Sequence, residues 1–143
     1  MSDFRIKEIR EELEMTQSEV AEILECTRSA YSLWELDVNT IPLYYLNEFS
    51  NKFDINIDYL VKLSDKEKIS FNKNDINRID LGKNIRFARK TIKYSQEKLA
   101  GHLNTTHSVI SAYESGKTAV PTLFLIEIAK LTKRSLNWFL NKQ

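Results

Sequence analysis

The 143-residue chain is 42% apolar and 29% charged, a globular balance that excludes a disordered polymer. Its one cysteine excludes an internal disulfide and a cysteine-based metal site, and no run of about 18 apolar residues is present to span a membrane. The formal net charge of +1 conceals two opposite halves: residues 1–64 hold six Lys and Arg against 13 Asp and Glu, residues 65–143 hold 15 against seven.

In chain order, a first helix is predicted around Ile6 and Arg10. Thr16 then caps a second helix whose inner face is Val20, Ala21 and Leu24. Thr27 caps a third, with Tyr31 and Trp34 inward. Pro42 opens a fourth, and "NIDYLV" closes the set with a fifth. Residues 62–80, "KLSDKEKISFNKNDINRID", follow. Extended, they would reach ~60 Å, but Ile69, Phe71, Ile76 and Ile79 are too apolar for a free tether, so part of the segment is expected to pack on a domain. Beyond it, Ile85, Ala88, Arg89 and Ile92 recur at helical spacing. Ser95 caps a helix with Leu99, Ala100 and Leu103 inward, and Thr106 caps the next, with Ile110 and Tyr113 inward. Gly116 ends that helix in a left-handed cap. Pro121 opens "TLFLIEIAKLT", and "SLNWFL" is the last helix. Only three Gly and two Pro are present, so helices with short connections are favoured over many-stranded sheets.

The second series repeats the first at an offset of 79, without a gap: Ile6 falls on Ile85, Arg10 on Arg89, Gln17 on Gln96, Thr27 on Thr106, Ser29 on Ser108, Ser32 on Ser111, Glu35 on Glu114 and Pro42 on Pro121. Two copies are too few for a solenoid. The expected architecture is all-α: a first five-helix domain over 1–63, a linker over 64–80 and a second five-helix domain over 81–143.

A small-residue second helix, a tight turn and a third helix with a short polar outer face describe a helix-turn-helix. Such a third helix fits a major groove about 12 Å wide, with its N-terminal end toward phosphate. The polar outer face here is Thr106, His107, Ser108 and Ser111 in the second copy, and Arg28, Ser29 and Ser32 in the first. The stretches "TQSEVAEILECTRSAYSLWELDVNTIP" and "SQEKLAGHLNTTHSVISAYESGKTAVP" resemble the Cro/phage-repressor-like (XRE) helix-turn-helix regulators, and the resemblance spans about 120 of the 143 residues. It implies lambda-repressor-like domains that bind double-stranded DNA. It assigns DNA contacts to Gln96, His107, Ser108, Ala112, Lys117 and Thr118, and in the first copy to Gln17, Arg28, Ser29 and Leu33. It also implies partly buried salt bridges Arg10–Glu35 and Arg89–Glu114.

The copies differ where phosphate is expected. The second has Gly116, Lys117 and Thr118, with Lys83, Arg86, Lys90 and Lys93 nearby; the first has Leu36, Asp37, Val38 and Asn39. A surplus of negative charge is repelled by a duplex bearing one charge per ~1.7 Å. The second copy is therefore expected to be the principal reader, with the first serving protein contacts through Leu33, Leu36, Val38, Tyr44 and Tyr45, either as a homodimer or with a protein partner. A direct base contact through Arg28 and docking of the first copy on the second remain open alternatives. A protein-interaction module, such as an antitoxin or immunity factor with secondary DNA binding, is the rival function. No nucleophile–base pair, Gly-rich phosphate loop or metal spacing is present, so neither an enzyme nor a cofactor is implied. The expected location is the cytoplasm. Trp34 and Trp138 read as core, Cys26 as half-buried, and His102 as exposed.

Overall fold

Seven of the ten helices among the described residues begin where a short polar side chain takes up an unpaired backbone N–H; the three preceded by Arg5, Pro42 and Pro121 do not. The computed structural model describes residues 3–143. In it the Thr16 hydroxyl accepts from the Glu19 N–H at 3.1 Å, and the Glu19 carboxylate accepts from the Thr16 N–H at 2.9 Å, a complete capping box. Thr27, Ser95, Thr106 and Ser135 accept in the same way from Ala30, Lys98, Val109 and Trp138. Thr16, Thr27, Ser95 and Thr106 are the capping residues expected from the sequence; Ser135, Asn56 and Asn77 join them.

The chain divides into two compact units, residues 1–71 and 72–143. Unit 1 contains α1 (Ile6–Glu12), α2 (Gln17–Leu24), α3 (Arg28–Glu35), α4 (Leu43–Phe53) and α5 (Ile57–Leu60). Unit 2 contains α6 (Arg78–Thr91), α7 (Gln96–His102), α8 (His107–Glu114), α9 (Thr122–Thr132) and α10 (Leu136–Phe139). The described residues hold no strand, and the fold is all-α with five helices in each unit. No helix among them is long and apolar enough to cross a membrane.

The two cores repeat position by position. Ile6, Val20, Tyr31, Leu46, Phe49, Ile57 and Leu60 are sealed from solvent, as are Ile85, Leu99, Ile110, Leu125, Ile128, Leu136 and Phe139 at the same offset. Each such side chain contributes about 1.5–3 kcal/mol by leaving water, so the sealed positions dominate the stability of each unit. The turns repeat too. Glu14, Glu25, Asp37, Asp54 and Lys62 have positive φ, and so do Lys93, Asn104, Gly116, Lys133 and Asn141, their counterparts. Scarcity of glycine therefore does not mean scarcity of left-handed turns: nine of these ten positions carry a side chain.

Residues 64–80 are not a bare tether. The Lys66 and Glu67 carbonyls accept from Asn56 in unit 1. Asn72 and Asn74 donate to the C-terminal carbonyls of unit 2. Helix α6 starts at Arg78, about two turns ahead of its counterpart α1. Trp34 is core as expected, but Trp138 is only half-buried: its ring lies under the Arg134 guanidinium at 4.1 Å, beside exposed Phe87. Leu103 and Tyr113 are likewise half-buried rather than sealed, whereas Cys26 is half-buried and His102 exposed, as expected.

Candidate nucleic-acid interface

Helix α8 is held from behind and open in front. Ile110 is fully buried and Glu114 nearly so, one turn apart on the inner face that packs on α6 and α7. Thr106, His107, Ser108 and Ser111 are exposed on the outer face, and Ala112 is half-buried. The helix ends at Ser115, and Gly116 turns left-handed at φ +78°, its N–H bonded to the Tyr113 carbonyl at 3.2 Å. The Lys117 and Thr118 N–H groups both donate to the Ala112 carbonyl, at 3.0 and 3.3 Å. Their backbone is committed to the helix end, so a phosphate at this edge would be held by their exposed side chains. His107 Nε2 lies 3.9 Å from Glu97 Oε1, a loose contact between two exposed groups.

The Arg and Glu that recur at identical separation form a bidentate pair in both units. Arg89 Nε donates to Glu114 Oε2 at 2.6 Å and Arg89 Nη2 to Oε1 at 2.9 Å; the corresponding bonds from Arg10 to Glu35 are 2.7 and 3.0 Å. Each arginine also donates to a carbonyl just past its own helix, Tyr94 at 2.7 Å and Met15 at 2.9 Å. The hydrogen bond to the carboxylate holds both guanidinium pKa values above the ordinary range. Burial alone would raise the Glu35 pKa, but hydrogen bonds led by Arg10 outweigh it and hold the carboxyl below its usual value. Burial, and then Glu35, push the neighbouring Tyr31 phenol well up.

Gln96 and Gln17 join these pairs. Gln96 Nε2 donates to Glu114 Oε1 at 3.0 Å, and Gln17 Nε2 to Glu35 Oε1 at 3.0 Å. The glutamine thus ties the start of the second helix to the end of the third, which takes up one of its two amide hydrogens. Sequence reasoning assigned these glutamines to DNA alone. Their recurrence in both copies, including the one without a Gly-Lys-Thr edge, was the available signal for a structural share. In unit 1 the Gln17 carbonyl also accepts from Arg28 Nη1 at 3.4 Å, which draws this exposed arginine toward α2.

Unit 1 presents a different edge. Arg28 and Ser29 are exposed and Ser32 and Leu33 half-buried. Leu36, Val38 and Tyr44 are 67%, 65% and 54% exposed, around exposed Asp37 at φ +58°. Tyr44 packs edge-on against Tyr45 with ring centroids 5.0 Å apart, and Tyr45 lies tilted against Trp34 at 5.1 Å. The carboxylate of Glu48 raises the Tyr44 pKa, which places negative charge at the margin of this aromatic surface.

A family model described as a helix-turn-helix matches residues 6–60, and one described as a helix-turn-helix domain matches residues 82–143. The chain belongs to the Cro/phage-repressor-like (XRE) helix-turn-helix family, with two domains in tandem. The matched ranges contain both capped turn-and-helix pairs and both Arg–Glu–Gln networks. A curated relative in Bacillus subtilis (strain 168), named an uncharacterized HTH-type transcriptional regulator, YqaE, is 34% identical over 64 residues. That stretch is 45% of this chain and 55% of the relative, so the similarity spans about half of the relative's length. No solved structure matches the chain.

Proposed function

We propose that this protein is a sequence-specific DNA-binding transcriptional regulator of the cytoplasm, with unit 2 as its principal reader. The supporting observation is the contrast at one edge. Unit 2 offers an exposed, short, polar helix face followed by Gly116, Lys117 and Thr118. Unit 1 offers Leu36, Asp37, Val38 and Asn39 at the same positions. The charge surplus follows the same division, negative in unit 1 and positive in unit 2. In this reading Ser108 and His107 face base edges from the N-terminal end of α8, with Ser111 and Ala112 one turn on. Lys117 and Thr118 hold phosphate, and Gln96 reaches a phosphate with its remaining amide hydrogen.

The exposed apolar residues of unit 1 favour a protein-contact role for that domain, as a homodimer or with another protein; an antitoxin or immunity-type module is the rival function they support. A single reading helix covers few base pairs, so a second reader, from this chain or a second one, would sit about 34 Å along the duplex. Selection of duplexes from a random library by the full-length chain tests the assignment. His107→Ala with Lys117→Ala is expected to abolish the selected consensus, whereas Arg28→Ala with Ser29→Ala leaves it intact. The reverse result would assign reading to unit 1, and no enrichment from the wild-type chain would favour the protein-interaction rival.

A further inference from the structure

We infer that Gly82 is a positioning residue for the reading helix: having no side chain, it lets the first turns of α6 lie directly on the C-terminal end of α8. This rests on unit 2 being the DNA reader. A Cβ at Gly82 would collide with the Glu114 carbonyl oxygen and come within 2.7 Å of the Tyr113 carbonyl oxygen. Both are backbone atoms of α8, so no side-chain rotation relieves the contact. Farther up α6, the contact continues along the turn that ends α8. A Cβ at Gly116 would lie 3.0 Å from Ile79 Cδ1 and 3.1 Å from the Arg78 carbonyl oxygen. The two glycines mark a line of close backbone approach between α6 and the segment from Tyr113 to Gly116.

The brace is anchored at its other side. The Asn72 N–H donates to the Lys142 carbonyl at 2.7 Å, and Asn74 Nδ2 to the Asn141 carbonyl at 3.2 Å. Asn84 Nδ2 donates to the Phe139 carbonyl at 2.9 Å. Residues 72–84 therefore join the end of α10 to the end of α8. Among the described residues of unit 1, α1 begins at Ile6, and the counterpart of Gly82 is Asp3, ahead of the helix. The extended α6 occurs in the unit that carries the Gly-Lys-Thr edge. Its action is geometric. The bases are read from one end of α8, and a wedge under the other end tilts the helix in the groove and displaces His107 and Ser108 from the base edges.

The test compares the full-length wild type with Gly82→Ala, Ile79→Ala and Gly101→Ala. Gly101 sits on α7 with nothing within 4 Å of an added Cβ, so its variant controls for a helical Gly-to-Ala change. Affinity is measured at fixed salt for the duplex the wild type selects and for an unrelated duplex of equal length. Gly82→Ala is expected to lose about tenfold or more on the selected duplex and nothing on the unrelated one, as expected when a base-reading contact is lost; Gly101→Ala changes neither. A variant that is merely less folded loses both affinities by the same factor, so parallel loss, or no loss, overturns the inference. If Gly82→Ala fails to fold, Ile79→Ala decides: selective loss of about threefold upholds the brace, and equal or absent loss overturns it. A wild type that selects no duplex overturns the DNA-reading assignment, and this inference with it. Selection by the wild type with an unaffected Gly82→Ala overturns the positioning role alone.

Discussion

Replacing Glu114 by Ala removes the acceptor for three donors at once, Arg89 Nε, Arg89 Nη2 and Gln96 Nε2. The arginine cannot simply turn to water, because its side chain is 7% exposed and Nη1 is already bonded to the Tyr94 carbonyl. Stranding one partner of a buried pair costs about 3–5 kcal/mol. For a domain of 60–100 residues, each kcal/mol lowers Tm by roughly 4–8 °C, so unit 2 should melt roughly 12–40 °C lower. Thermal unfolding of the full chain by circular dichroism, with the two units resolved as separate transitions, reads this out. Glu35→Ala should cost unit 1 less, because the Arg10 side chain is 14% exposed and water can reach it. Replacing both partners, Arg89→Met with Glu114→Leu, should recover most of the loss, since no charge is left buried. A Glu114→Ala transition displaced by under about 5 °C would show that solvent enters the site freely, and the buried-network argument would then be wrong.

Lys117→Ala should weaken all duplexes alike and lower the slope of log affinity against log salt by about 0.9, the share of one phosphate; an unchanged slope would remove Lys117 from the interface. Lys133, which ends α9 at φ +57°, should gain up to about 1 kcal/mol on change to Gly. By contrast Gly116→Ala, at φ +78° and against Arg78 and Ile79, should lose at least that much; the Tm of the unit 2 transition distinguishes the two signs. Because the folded Glu35 carboxyl lies below its usual pKa, its contribution is fully present above the unfolded carboxyl pKa of about 4.3 and is lost as pH falls through the folded value. The Tm of unit 1 should therefore decline on acidification, and Glu35→Gln should flatten that decline; identical acid limbs for the two proteins would refute the assignment.

The helices and their starts were legible because their determinants are local. Apolar side chains at helical spacing and a Ser or Thr ahead of them need no tertiary information, and the 79-residue repeat checks each helix against its twin. What was not legible depends on neighbours distant in sequence. Positive φ at Glu25 and Lys133 is imposed by the closing turn, while the side chains there give no sign of it. The close approach of Gly82 to the end of α8 is revealed by no spacing within residues 78–84. Gln96 looks like a DNA ligand in sequence because an amide bonds equally well to phosphate or carboxylate; only the approach of Glu114 to 3.0 Å shows where one hydrogen goes. Trp138 reads as core by residue type, yet the flat side chain of Arg134 covers it and leaves it half-buried.

The internal repeat separates what the fold requires from what each unit does. Most positions buried in one unit are buried in the other, and the Arg–Glu–Gln network survives in unit 1, which lacks a Gly-Lys-Thr edge. A glutamine kept only to touch phosphate would have no reason to stand opposite Glu35 at the same 3.0 Å as its twin opposite Glu114. The network therefore belongs to the scaffold. The differences that set the two edges apart lie on the surface: His107 against Arg28, Lys117 against Val38, Thr118 against Asn39, and Leu123 against Tyr44. Substitution at exposed sites of this kind ordinarily changes stability by less than about 0.5 kcal/mol, so one framework can carry a cationic polar edge or an anionic aromatic one at little cost. Exchanging the exposed pairs 38–39 and 117–118 between the units, with Gly116 kept in place, should consequently leave both transitions in place while moving the phosphate-dependent part of binding.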